Sequence, residues 1–173
     1  MSNFVDKLAQ VSMVTTKIRL DIVVQYNYLV VGISSQLNDY RLGYNLNRVL
    51  GTDLKRLEDL PAYFEKEKKK HPFPLYTDDQ NDNFKVCFLI GCMNQGIKLF
   101  PQLKYCDYVF LYENPSIDWS DEQVVTSIRG IANVQIARKL IPEELKGINM
   151  VLVDLEMHLH DIAQDRKKRT DIY

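Results

Sequence analysis

The hydrophobic pattern changes its period several times along the chain. Phe4, Leu8 and Val11 sit at helical spacing, which predicts a short helix or an N-terminal arm over residues 1–16. From Lys17 the pattern becomes alternation. Ile18, Leu20 and Ile22 share one side while Lys17, Arg19 and Asp21 share the other, as in a half-buried strand near a sheet edge. Tyr26 to Ile33 then reads as an apolar strand that runs into Gly32-Ile33-Ser34-Ser35. A helix is expected from about Asp39 to Leu50, with Leu42, Leu46, Val49 and Leu50 on one stripe, Asn38 or Ser35 as cap and Gly51 at the left-handed C′ position. Leu54–Leu57 suggests a short strand. Pro61, at an N1 position, opens a segment over 61–71 that ends in the charge run Glu65-Lys66-Glu67-Lys68-Lys69-Lys70-His71.

Phe73–Thr77 and Phe84–Gly91 are strand-like and are joined by six polar turn-formers, Asp78 to Asn83, which is a hairpin signal. In the second segment Phe84, Val86, Phe88 and Ile90 share a face, and Cys87 and Leu89 make the opposite face apolar, as a central strand requires. Asp107–Glu113 is the next strand, closed by Pro115. Ser120 and Gln123 then form a capping box, Trp119 can staple onto Val124, and Val125, Ile128 and Ile131 continue a buried helical stripe. Val134–Leu140 reads as a strand and Pro142–Leu145 as one helical turn. The last element fits two periods. Val151, Val153, Leu155, Met157 and Leu159 alternate like a strand, whereas Ile148, Leu152, Leu155, Leu159 and Ile162 fit a helical stripe; the β-branched opening favours a strand to about Met157.

Strand–helix–strand thus occurs twice, at 27–57 and 107–140, with the hairpin between. This predicts an α+β protein: a two-layer sandwich with a mostly antiparallel sheet, two main helices on one face, and a ferredoxin-like arrangement with extra strands. A single domain is expected over 17–160, followed by a polar tail at 161–173. The 173 residues are enough for one core. With 22 Lys+Arg against 23 Asp+Glu the net charge is −1, which argues against a wholly basic nucleic-acid binder. The charged residues among the first 25 leave no apolar signal-peptide core, and no apolar run reaches the ~20 residues of a membrane span. Three cysteines, Cys87, Cys92 and Cys106, sit in or beside apolar segments, as buried thiols of a reducing compartment do. A cytoplasmic protein without a membrane partner is expected.

Three segments carry a family resemblance: Tyr28-Leu29-Val30-Val31-Gly32-Ile33-Ser34-Ser35-Gln36-Leu37-Asn38-Asp39-Tyr40-Arg41-Leu42, Phe73-Pro74-Leu75-Tyr76, and Phe100-Pro101-Gln102-Leu103-Lys104-Tyr105-Cys106-Asp107-Tyr108. Together they resemble the IPExxVDY family of Bacteroidota, over about Lys17 to Asp154. In the naming signature Pro101, Asp107 and Tyr108 agree, whereas Phe100 stands for Ile, Gln102 for Glu and Cys106 for Val. The resemblance implies a small intracellular bacterial protein and carries no catalytic residues across.

Candidate chemistry is sparse. Gly32-Ile33-Ser34-Ser35 leads into a helix N-terminus, where backbone N–H groups can hold a small anion; Ser34 and Ser35, with Arg41 and Arg48 as helpers, are the candidate ligand residues. No phosphate loop or dinucleotide fingerprint is present. Asp154, Glu156, His158 and His160 share a face on a strand or form i,i+4 pairs on a helix, yet they match no metal motif, so no metal or other cofactor is expected. The Asp78–Asn83 turn lacks the glycine and the closing glutamate of a calcium loop. Cys87 and Cys92 are too far apart for a C-x-x-C motif. Tyr108, Phe110 and Tyr112 alternate as RNA-stacking aromatics would, but without basic neighbours, so they read as core. Lys66, Lys68, Lys69 and Lys70, and the run Arg166–Arg169, are the candidate contacts for a partner or for RNA. With no catalytic residues signed, the expectation is a non-catalytic binding or regulatory module for a protein partner or a small anionic ligand. The alternative is an RNA- or ribosome-associated protein using the basic runs at 66–70 and 166–169, which salt dependence separates from the first reading, and a metal enzyme using Asp154–Asp161 ranks third. A second copy of the chain, joined through a free sheet edge, is a further expected partner.

Overall fold

The computed structural model describes residues 28–78, 87–113 and 119–170. The expected N-terminal arm, the alternating segment at 17–22, the turn residues 79–83 and the strand start at Phe84 lie outside the described residues. Ten strands and three helices follow: β1 (Tyr28–Ser35), α1 (Asp39–Leu50), β2 (Lys55–Arg56), β3 (Leu60–Phe64), β4 (Lys69–Phe73), β5 (Leu75–Asp78), β6 (Cys87–Gly91), β7 (Met93–Asn94), β8 (Ile97–Lys98), β9 (Tyr108–Glu113), α2 (Asp121–Arg129), β10 (Val134–Lys139) and α3 (Ile148–Thr170).

Six of these strands form one antiparallel sheet in the order β10–β1–β9–β6–β5–β2. β5 pairs with β6 through Leu75 opposite Ile90, the pairing expected from the polar turn between them. Because β1 and β6 both run antiparallel to β9, they are parallel to each other. The core order β10–β1–β9–β6, with α1 after β1 and α2 after β9, is the split β-α-β of a ferredoxin-like fold. The segment β2–β5 is inserted after α1, and the α+β expectation holds.

Strand periodicity explains the two-sided core. Leu29, Val31 and Ile33 of β1, Cys87 and Leu89 of β6, and Phe110 and Tyr112 of β9 point to one face, against Leu42 and Leu46 of α1 and Val124, Val125 and Ile128 of α2. Val30, Phe88, Ile90, Val109 and Leu111 point to the other. α2 begins as its sequence predicts: the Ser120 hydroxyl accepts from Gln123 N–H, and the Gln123 side chain accepts from Ser120 N–H at 2.8 Å. α1 begins differently, since the Asn38 side chain makes no cap bond. A missing cap forgoes about 1 kcal/mol, whereas burying Leu42 and Leu46 completely contributes about 1.5–3 kcal/mol each, so packing holds α1. Gly51 closes it at φ 65°, the expected left-handed position.

The C-terminal element and the segment at Pro61 differ from expectation. The last element is a helix: α3 runs through Thr170, so residues 161–170 continue it instead of forming a separate tail. It packs Ile148, Val151, Leu152 and Leu155 against the second sheet face, where the β3–β4 hairpin joins it and adds a third layer to the two that were expected. Pro61 starts no helix and lies in β3, directly opposite Pro72 of β4. The N–H of Tyr63 turns away from β4 and donates to Asp154 Oδ2 at 2.8 Å, so Pro61, two residues earlier, also occupies an outward position. Neither proline therefore removes a ladder bond, which is the condition for proline in a strand.

Candidate functional site

The corner between β1 and α1 shows how the predicted anion residues are used. Ser34 Oγ donates to Asp107 Oδ2 at 3.0 Å, and the backbone N–H of Ser35 donates to the same oxygen at 2.9 Å. Ser35 Oγ donates to Asn133 O at 2.9 Å and accepts from Leu37 N–H at 3.1 Å. Tyr108 OH reaches back to Leu37 O at 2.8 Å. The donors expected to hold a ligand anion thus hold the chain's own carboxylate, Asp107, supplied just ahead of β9. Neither Ser35 nor Asn38 caps α1 as expected; Ser35 ties the corner to the α2–β10 loop instead. Arg41 lies over the Tyr40 ring at 5.8 Å, and Arg48 is in the last turn of α1, roughly 13 Å along the axis from its start, so the helper arginines do not converge on the serines.

A cleft of about 430 Å³ above this corner is lined by Asn38, Asp39, Tyr40, Met93, Asp107 and Tyr108, a lining acidic in sign. Burial, then the charges of Asp39 and Asp107, push the Tyr108 hydroxyl up to about 12. Burial and Asp39 likewise raise Tyr76. Both phenols stay neutral and offer no base near pH 7.

The partner lysines are on the β3–β4 hairpin: Lys66 and Lys68 in its turn, Lys69 and Lys70 opening β4, all exposed. Lys69 stands opposite Phe64 and Lys70 opposite Tyr63, and neighbours on a strand point to opposite faces, so the run is divided between two surfaces. Tyr108, Phe110 and Tyr112 belong to the core beneath α1 and α2, with Phe110 and Tyr112 stacked at 6.1 Å, and present no stacking platform. On α3, Asp154 accepts from Tyr63, His158 Nε2 lies 3.2 Å from Glu58 O, and His160 pairs with Gln164, so Asp154 and the two histidines serve separate local contacts. Among the described residues no three His, Cys, Asp or Glu side chains are grouped to hold a metal ion.

All three cysteines are buried thiols, and none is in a disulfide. Burial, reinforced by Cys106 and Asp107, raises the Cys92 thiol well above its ordinary range, and burial raises Cys106 as well. Protonated thiols are poor nucleophiles. Iodoacetamide at pH 8 is therefore expected to alkylate less than about a tenth of Cys92 and Cys106 in the native chain, and both fully in urea. Rapid native labelling of either residue, read by peptide mass, contradicts this.

The concave feature that sequence reading missed lies across the β7–β8 hairpin from this cleft. A groove of about 730 Å³ is walled by the β3–β4 turn, by β8 and the Phe100-Pro101-Gln102 loop after it, and by the start of α3. Phe64, Ile97, Phe100 and Met150 make its apolar lining, and Lys66, Lys98 and Lys146 stand on it from three separate elements. Gln102 donates from Nε2 to Lys146 O at 2.7 Å and to Glu144 O at 3.2 Å, which fixes the loop against the entry to α3. Arg138 pairs with Glu144 (Nη1–Oε2 2.8 Å), lies 4.7 Å over Tyr105, and holds the Glu144 carboxyl below its ordinary range. The β7–β8 wall turns on Gln95 (φ 48°) and Gly96 (φ 81°), the left-handed pair that a two-residue hairpin needs, and Asn94 Nδ2 pins it to Pro72 O at 2.6 Å. The signal was present as Asn-Gln-Gly between Met93 and Ile97, but two-residue strands give no readable alternation.

In comparisons with known proteins, no family model, curated protein or solved structure matches the chain. Among the described residues no helix is long and apolar enough to cross a membrane.

Proposed function

We propose that this chain is a non-catalytic binding module for a protein partner, with the groove between the β3–β4 turn, the Phe100–Gln102 loop and the start of α3 as its seat. The observation that carries this reading is the groove itself: an apolar floor of Phe64, Ile97, Phe100 and Met150 under a rim of charged side chains. Apolar centre and polar rim are the anatomy of a protein interface, and backbone turns pinned by Gln102 and Asn94 keep the seat formed before a partner arrives. The small-anion reading has less support, because Asp107 already occupies the donors at Ser34 and Ser35. The RNA reading has less as well, because Lys69 and Lys70 point apart. The resemblance to the IPExxVDY family and three buried thiols support placing the module in a bacterial cytoplasm.

A photo-crosslinking amino acid at Ile97 tests the seat in cells. One protein species should be captured from Ile97, should be absent when the crosslinker replaces the exposed Glu143, and should fall about tenfold or more when Pro101→Glu places a carboxylate in the groove. Equal capture from both positions, or capture indifferent to Pro101→Glu, removes the groove from the reading.

A further inference from the structure

Helix α3 is apolar on two opposite sides. Ile148, Val151, Leu152 and Leu155 are buried against the sheet, yet Met150, Val153 and Met157 stand on the outer side with exposures of 48%, 46% and 58%. Their i, i+3, i+7 spacing is that of a short helix-packing seam. Asp154, beside this stripe, is turned away from it by its bond to Tyr63 N–H. The charges at the two ends of the stripe have opposite sign: Lys146 precedes the helix and Asp161 follows Met157.

We propose that this stripe is a two-fold interface on which α3 packs antiparallel to α3 of a second copy, centred on Val153. This goes beyond the groove reading; because Met150 and Lys146 belong to both surfaces, a second copy on α3 and a partner in the groove exclude each other. Antiparallel packing about Val153 sets Met150 against Met157 of the second copy, twice by symmetry, and Val153 against itself. Lys146 and Asp161 lie seven and eight residues from Val153 on opposite sides, so the same rotation brings the lysine of each copy to the aspartate of the other. It also brings that aspartate to the N-terminus of the facing helix, where the macrodipole favours a carboxylate. A surface whose two ends are electrostatic complements is matched by its own copy, as an isologous contact requires. The stripe is only two turns long, so the area falls at the low end for specific interfaces and the dimer is a concentration-dependent one.

Sedimentation velocity of the full chain from about 1 μM to about 1 mM tests this. The wild-type chain should pass from monomer to dimer within that range. Val153→Glu sets two carboxylates against each other at the axis and should weaken the dimer about tenfold or more, while circular dichroism stays unchanged because Val153 is exposed. Lys146→Glu and Asp161→Lys should each weaken it about threefold to tenfold, and the double variant should return to within about threefold of wild type. A wild-type chain that stays monomeric throughout overturns the proposal, including the case where another protein is found to cross-link at Val153. A dimer indifferent to Val153→Glu assigns self-association to another surface, and a double variant without recovery overturns the antiparallel pairing.

Discussion

Replacing Phe110 by alanine is expected to cost about 3–5 kcal/mol and to lower the melting temperature by roughly 10 °C. Phe110 is fully buried at the centre of β9, with Val31 of β1 opposite on one side and Leu89 of β6 on the other. Its ring fills the space beneath α1 and α2 and stacks on Tyr112. Both flanking strands hold β9 by backbone bonds, so the backbone cannot move in to fill the void, and a site that cannot collapse is the one where truncation is most destabilising. A domain of this size has about 9–15 kcal/mol in all, so the variant keeps its fold with a much reduced margin. Tyr44, 68% exposed on α1, is the control: Tyr44→Ala should change stability by about 0.5 kcal/mol or less. Urea unfolding of the two variants decides. A loss under about 1 kcal/mol at Phe110 would mean that the sheet does not carry the helices as described.

The core strands were legible in the sequence because the sheet is covered on both faces. Phe88 and Ile90 serve one core cluster and Leu89 the other, so β6 had to read as an unbroken apolar run, and did. α2 was legible for a different reason: Ser120 and Gln123 bond each other's backbone locally, and local chemistry needs no tertiary knowledge. α3 was misread for a specific physical cause. A helix with one buried stripe shows a 3–4 period, but α3 adds Val153 and Met157 on its outer side, and two opposed stripes sum to the alternation of a strand. The surplus apolar residues that hid the helix are the ones proposed to pair it with a second copy. Pro61 misled through its immediate neighbours; only the partner strand, with Pro72 opposite, shows that its missing N–H costs nothing. The groove was illegible because its walls come from Phe64, Phe100 and Met150, which no short-range pattern connects.

Asp107→Ala is expected to cost about 1–3 kcal/mol and, more tellingly, to create a dependence on added anions. The carboxylate accepts from both the Ser34 hydroxyl and the Ser35 N–H, and it extends the β1–β9 ladder from the start of β9 to the end of β1. Removing it leaves two donors aimed at an empty position beside the entry to α1, the setting in which backbone N–H groups bind small oxyanions. The variant should therefore melt roughly 5 °C below wild type and regain part of that difference in tens of millimolar phosphate or sulfate at fixed ionic strength, whereas wild type should not respond. If both proteins rise equally, the effect is a general one of the salt on burial and says nothing about the corner. If the variant does not respond, the Ser34–Ser35 corner was never an anion seat. Recovery confined to the variant would mean that the sequence signature at Gly32–Ser35 is a true anion cradle whose anion is built into the chain, so that any external ligand must be recognised by a different surface.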